Sequence, residues 1–248
     1  MIAPTRRERL RAATVEEIKQ TARRLLVAEG PAAISLRAIA REIGMTAPAL
    51  YRYFPSHEAL MEGLCVDLSS ELVTELMRAR DAEPSSDPAV KLLAACLAFR
   101  TWAIDHPAEF SLIFASTRRH PQAGAAGASA ADASGDGCVG GLREVKHRFG
   151  EVFLEQVLEL WQRNHFPLPP SEDLPEALCE QLRRYVDEDQ LGIPIGVAHV
   201  FLSGWARLYG LVALEVFGHL DFALDDVEPM FQAEINQLAR QLGVDLRG

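Results

Sequence analysis

Tyr51, Arg52 and Tyr53 put two phenolic hydroxyls and a guanidinium into three consecutive residues. Such groups donate hydrogen bonds to anionic oxygens, and the guanidinium adds a permanent positive charge. Just upstream, Thr46-Ala47-Pro48-Ala49 combines one hydroxyl with small side chains that allow close approach to another surface. Thr46 opens a short helical segment, where the helix dipole also favours a phosphate. Ser35 and Arg37 supply a further hydroxyl and guanidinium, and the imidazole of His57 can donate one more hydrogen bond. These residue types are suited to holding phosphates and approaching a surface; they carry no bond-breaking machinery.

Catalytic and metal-binding patterns find little support elsewhere. His106, His120, His147, His165, His199 and His219 show no ligand spacing, and no cofactor or metal is expected. The chain has no HExxH, no GxSxG and no glycine-rich phosphate loop after a strand, so no enzyme is expected. Cys65, Cys96, Cys138 and Cys179 are widely spaced without a CxxC pair and read as free buried thiols. Glu71, Glu75, Asp187, Glu188 and Asp189 read as solvated charges.

The elements that must position the phosphate-binding residues are helices. Ile18, Ala22, Leu25 and Leu26 share one helical face, which Gly30-Pro31 ends. Leu36, Ile39, Ala40 and Ile43 repeat the pattern, with Ser35 placed as N-cap and Gly44 as the stop. Thr46 can cap a third short helix that tolerates Pro48 in its first turn. Pro55-Ser56 breaks it. Leu60, Leu64, Leu68, Leu72 and Leu76 then stripe a long helix over about 56–77. Further helices are expected at 89–105, from Pro107, and at 142–165, 174–186, 194–220 and 227–242. Residues 118–141, rich in Ala, Gly and Ser, read as a flexible loop. Strand signals are weak, so the predicted fold class is all-α.

Two short helices joined by Gly44-Met45-Thr46 form a helix-turn-helix arrangement, in which one helix enters a DNA major groove and the other braces it. The sequence Ser35-Leu-Arg-Ala-Ile-Ala-Arg-Glu-Ile-Gly-Met-Thr-Ala-Pro-Ala-Leu-Tyr-Arg-Tyr-Phe-Pro-Ser-His-Glu-Ala-Leu60 closely resembles the DNA-binding domain of the TetR/AcrR family. Ile18 to Gly30 resembles that family's first helix. The resemblance implies that Ser35 and Arg37 touch phosphate and that Thr46, Ala47, Pro48 and Ala49 face bases. It also puts Tyr51 at the groove edge and Tyr53 against the DNA backbone. His57 stands where the family usually has a phosphate-gripping lysine. The resemblance further implies a ligand-responsive regulator, most readily a repressor, on a palindromic double-stranded DNA operator.

Charge divides the chain in two. The net charge is −10, yet residues 1–60 carry 10 Lys+Arg against 6 Asp+Glu. A basic head of residues 1–56 and an acidic body of residues 57–248 are therefore expected, the body facing away from DNA. No run approaches the ~18 consecutive apolar residues of a membrane helix, and the basic N-terminus lacks the apolar segment of a signal peptide. A cytoplasmic protein without membrane contact is expected.

Residues 201–215 resemble a C-terminal regulatory domain type marked by Trp, then His-Gly. Trp205 and Gly210 fit, while Tyr209 replaces the histidine. The 194–220 segment is apolar on too many faces for a helix buried on one side only. Val197, Phe201, Trp205, Leu208 and Val212 form one stripe, and Leu202, Tyr209 and Val216 another, with Gly204 and Gly210 permitting close approach of a partner helix. The family resemblance implies a homodimer through 194–220 and 227–242. A pocket for an unidentified small-molecule effector is expected among Phe99, Trp102, Phe110, Phe114, Trp161 and Tyr185. The competing reading is an all-α dimeric small-molecule binder without operator binding.

Overall fold

A computed structural model of the chain describes residues 5–115, 136–188 and 190–244, with backbone only at 115, 136–143 and 146. The described residues form α-helices and short 3-10 turns with no strand. The helices are α1 (Arg6–Glu29), α2 (Leu36–Glu42), α3 (Ala47–Leu50), α4 (His57–Ala82), α5 (Pro88–Asp105), α6 (Pro107–Ala115), α7 (Asp136–Asn164), α8 (Glu176–Glu188), α9 (Ile195–Val216) and α10 (Glu228–Gln241).

The chain makes two compact units, one of residues 1–73 and 106–148, the other of 74–105 and 149–248. The boundary expected at residue 56 falls inside the first unit. The reason is packing: α1 is clamped to α4 by Lys19–Asp67 at 2.6 Å and Arg23–Glu71 at 2.7 Å, and to α6 by Arg23–Glu109 at 3.1 Å. Glu71, expected to be a solvated charge, is thus a bidentate partner of Arg23. The leucine stripe of α4 is realised in full, with Leu60, Leu64, Leu68, Leu72 and Leu76 all buried.

Several ends differ from expectation. α1 begins at Arg6, well before the apolar face starts at Ile18, because Thr5 and Glu8 close a capping box ahead of it. The bonds from Thr5 hold the Glu8 carboxyl below its usual range. That support is therefore present above the unfolded carboxylate's range and fades as pH falls through the lowered one. α7 begins at Asp136, so residues 136–141, expected in the loop, are helical despite three glycines. Residues 118–135 of the expected loop, with His120, lie outside the described residues, as does Asp189.

In the second unit, Phe99 on α5 is fully buried among the rings of Phe149, Phe153 and Trp205. Arg100, one residue on, reaches Glu215 near the end of α9 at 2.7 Å, pairs with Glu228 at the start of α10, and lies over the Phe231 ring. One arginine thus fastens α5 to both ends of the α9–α10 connection. α9 is long and apolar enough by length and composition to cross a membrane. Its inner residues Val197, Leu208 and Val212 are instead buried in the protein, and its Arg207 pairs with Glu234 of α10. A Cβ on Gly204 would meet Leu238 of the chain's own α10 at 3.7 Å, so this glycine faces an internal neighbour. Gly210 has open space beside it.

Candidate nucleic-acid interface

The head is built by local rules. Gly30, at φ 84°, ends α1 in a conformation that side-chain-bearing residues avoid. Ser35 is extended at φ −142° and its Oγ accepts from the Ala38 amide at 3.1 Å, capping α2. α2 buries Leu36, Ile39 and Ala40. Gly44, at φ 71°, turns the chain, and the Met45 amide reaches back to the Ala40 carbonyl at 2.8 Å in a Schellman-type closure.

Thr46 then starts α3 with extended backbone, but its side chain makes no capping hydrogen bond. Its hydroxyl is spared the capping role expected of it. α3 is only four residues long and fixed by Leu50, which is completely buried. Tyr51 to Tyr53 continue as turns, closed by Tyr53 N–H to the Leu50 carbonyl at 2.9 Å and sealed by buried Phe54. Ser35, Arg37, Thr46, Pro48, Tyr51 and Arg52 are exposed, and Ala47, Ala49 and Tyr53 are half-buried. The first unit therefore brings the expected base-facing and phosphate-facing residues into one short stretch of accessible chain.

His57 has a different occupation. Its Nε2 lies 3.0 Å from the Ile34 carbonyl, which can only accept, so the ring donates there. The imidazole braces the start of α4 against the loop before α2, leaving only Nδ1 for any other partner. Arg11 was not anticipated. Its guanidinium donates to the Arg52 carbonyl at 3.4 Å and sits 5.2 Å from the Tyr53 ring centre. The signal available in the sequence was the basic run from Arg6 to Arg11. Arg24–Glu42 at 2.8 Å ties α1 to α2.

The aromatic residues expected to form an effector pocket are divided between the two units. Phe110 and Phe114 pair at 4.7 Å in the first unit, whereas Phe99, Trp102, Trp161 and Tyr185 belong to the second. Trp161 packs on Phe166, and Tyr185 packs beside Leu182 and Val186. A cavity of about 90 Å³ instead lies among α5, α7, α9 and α10, walled by residues such as Leu93, Cys96, Phe153, Val200, Trp205 and Leu238. Aliphatic residues make most of its wall, and nothing in the sequence sets them apart from ordinary core. Burial pushes the Cys96 thiol up to about 12, so it stays protonated. Tyr209, where the motif expects histidine, lies against Trp205 at 5.6 Å between ring centres.

A capped helix, a glycine turn and a short second helix with exposed donors define a helix-turn-helix DNA-binding protein. The chain belongs to the TetR family of bacterial regulatory proteins. Residues 11–64 match the family's N-terminal model, and residues 92–238, more than half of the chain, match the model described as tetracyclin repressor-like, C-terminal domain. It is a DNA-binding transcriptional regulator and not an enzyme. It is similar to the HTH-type transcriptional regulator Rv1816 of Mycobacterium tuberculosis, with 39% identity over 100 residues. That match covers 40% of this chain and 43% of that protein, so the chain spans less than half of the curated relative's length. Over nearly the whole chain it is similar to the crystal structure of the regulatory protein SCO4313. The TM-score is 0.68 with 27% identity, covering 95% of this chain and 98% of the other. A tetR-family regulatory protein from Rhodococcus RHA1 shares the fold at TM-score 0.58 and 14% identity, covering 93% and 97%.

Proposed function

We propose that this regulator is a repressor that binds a palindromic operator as a homodimer and leaves it when a small-molecule effector enters its second unit. The observation that carries the reading is the head itself: Thr46 to Ala49 accessible at the start of α3, with Tyr51, Arg52 and Tyr53 following. In this reading Thr46, Ala47, Pro48 and Ala49 meet base edges, while Ser35, Arg37, Tyr51, Arg52 and Tyr53 meet phosphates. The sense of repression draws on the C-terminal match. The dimer runs through α9 and α10. Leu202, Leu214, Phe217 and Met230 there are large apolar residues left 39–43% exposed, and the open flank of Gly210 offers room for a partner helix. Two-fold symmetry would set two heads on successive major grooves.

The test is selection of bound genomic fragments followed by a mobility-shift titration at several salt concentrations. Specific binding that weakens steeply with salt is expected. Tyr51→Phe and Arg52→Ala should each weaken it roughly fivefold to a hundredfold, about 1–3 kcal/mol apiece, without a change in helicity. An absence of specific, salt-sensitive binding sinks the operator reading and leaves the small-molecule binder.

The effector reading rests on the cavity. Its wall carries no charged side chain; Gln241, the Trp205 indole and the protonated Cys96 are its polar side chains. A neutral, apolar effector fits that lining. An apolar cavity of about 150 Å³ accommodates benzene, so a larger compound must displace a wall of this one. Ile235, Leu238, Ala239, Gln241 and Leu242 of its wall come from α10 or its end, so displacement would act on the dimer helices. Trp205 fluorescence should change on titration with neutral apolar compounds, and Leu238→Trp should abolish the response by filling the space. A response unaffected by Leu238→Trp would place the effector elsewhere.

A further inference from the structure

We infer that the first turns of α1, carrying Arg6, Arg7 and Arg9, form a second DNA-binding element that grips the phosphate backbone beside the reading head. The inference rests on the operator reading and extends it to residues outside the N-terminal family match, which starts at residue 11.

Packing gives these turns no reason to exist. Every residue from Thr5 to Ala13 is exposed, and the first buried side chain of α1 is Ile18. A helix end without tertiary support is marginal in water, yet this one is closed by a full capping box. The Thr5 amide and hydroxyl both donate to Glu8, at 2.6 and 2.9 Å, and the Glu8 amide donates back at 3.3 Å. That engages the only carboxylate of the stretch in capping. Among the described residues no ion pair involves Arg6, Arg7, Arg9 or Arg11, whereas Arg23, Arg24, Arg80, Arg100 and Arg207 each meet a carboxylate.

Electrostatics sharpens the point. The amino end of a helix is its positive pole, so three arginines there oppose the dipole, and Arg7 and Arg11 repel each other at i, i+4. An arrangement that is unfavourable in isolation becomes favourable beside a polyanion. Arg11 fixes where the anion would be. Its bond to the Arg52 carbonyl and its place over Tyr53 join α1 to the corner of the head assigned to phosphates. Arg7 lies one turn further out on the same face, about 6 Å along the axis. It is a continuation of the same phosphate-binding edge.

The experiment uses the full-length chain, the operator recovered by genomic selection, and an unrelated duplex of equal length. Affinity is measured by fluorescence anisotropy across a salt series. The triple variant Arg6→Gln, Arg7→Gln, Arg9→Gln keeps helix propensity and the capping box. It should bind both duplexes more weakly, on the order of tenfold for each phosphate that is no longer neutralised. The slope of log affinity against log salt should shrink by about 0.9 for each such phosphate. The triple lysine variant should keep the wild-type slope. An unchanged slope in the glutamine variant overturns the inference. So does a weakening confined to the operator, or an equal weakening in the lysine variant, which would trace the effect to helix structure. A wild-type chain that binds neither duplex overturns the operator reading itself, and this inference with it.

Discussion

Phe99→Ala is expected to destabilise the protein by about 3–5 kcal/mol, the range for removing a ring from a core that cannot collapse around the gap. Phe99 is completely buried, with ring centroids of Phe149 at 5.8 Å, Trp205 at 5.5 Å and Phe153 at 6.5 Å. These come from α7 and α9, so the gap would be held open by three large side chains on helices fixed elsewhere. In a chain of this size the change corresponds to a fall in Tm on the order of 10 °C. Phe99→Leu keeps much of the volume and should cost clearly less. Urea unfolding followed by far-UV circular dichroism checks both. A destabilisation below about 1 kcal/mol for the alanine variant would mean that the aromatic cluster relaxes freely and contributes little. Two of the neighbouring rings, Phe153 and Trp205, also wall the cavity. If apolar compounds enter that cavity, as proposed above, the alanine variant should also alter their binding.

Arg23→Met is the second large effect, at about 2–4 kcal/mol. Arg23 leaves α1 and binds Glu71 of α4 through two hydrogen bonds at 2.7 and 3.0 Å and Glu109 of α6 through a third at 3.1 Å. The Glu109 side chain is only 5% exposed. Removing the guanidinium leaves a buried carboxylate without its cation, the case in which breaking an ion pair costs most. The figure lies below the fully buried range because Arg23 and Glu71 keep 31% and 39% exposure, where solvent screens the charges. Adding Glu109→Gln to Arg23→Met should recover a good part of the stability, since the amide carries no charge to strand. A double variant as unstable as the single one would show that the arginine acts through the packing of its aliphatic stem. Because the clasp joins α1 to two other helices of the same unit, the single variant should also bind operator more weakly.

The head was legible in the sequence because each of its parts is local. Ser35 caps its own turn, Gly44 bends its own backbone, and Leu36, Ile39 and Ala40 bury a face set by helical spacing alone. The stripe from Leu60 to Leu76 was legible for the same reason. What escaped was non-local or hidden by composition. The Arg23 clasp joins residues 48 and 86 positions apart, and Arg100 joins residues 115 and 128 positions apart. No periodic pattern along the chain pairs them. The start of α7 at Asp136 was masked by glycines that individually disfavour a helix by about 1 kcal/mol. The cavity escaped because aliphatic residues from four separate helices line it, and such residues look like ordinary core. The engagement of His57 with Ile34 escaped because it depends on a loop 23 residues away.

The interleaving of the two units bears on any attempt to recombine this regulator with others. Each unit is assembled from two stretches of chain, and both α4 and α7 pass from one unit into the other. A chimera cut after Phe54, where the reading residues end, would deprive α1 of Asp67, Glu71 and Glu109 together. The grafted head would keep α2 and α3 and lose the partners that hold its first helix. An exchangeable module has to carry residues 5–73 along with the α6 segment, or the host must supply an equivalent of Glu109. Exchanging a few side chains of α3 leaves all of these ties in place, which exchanging the whole head does not.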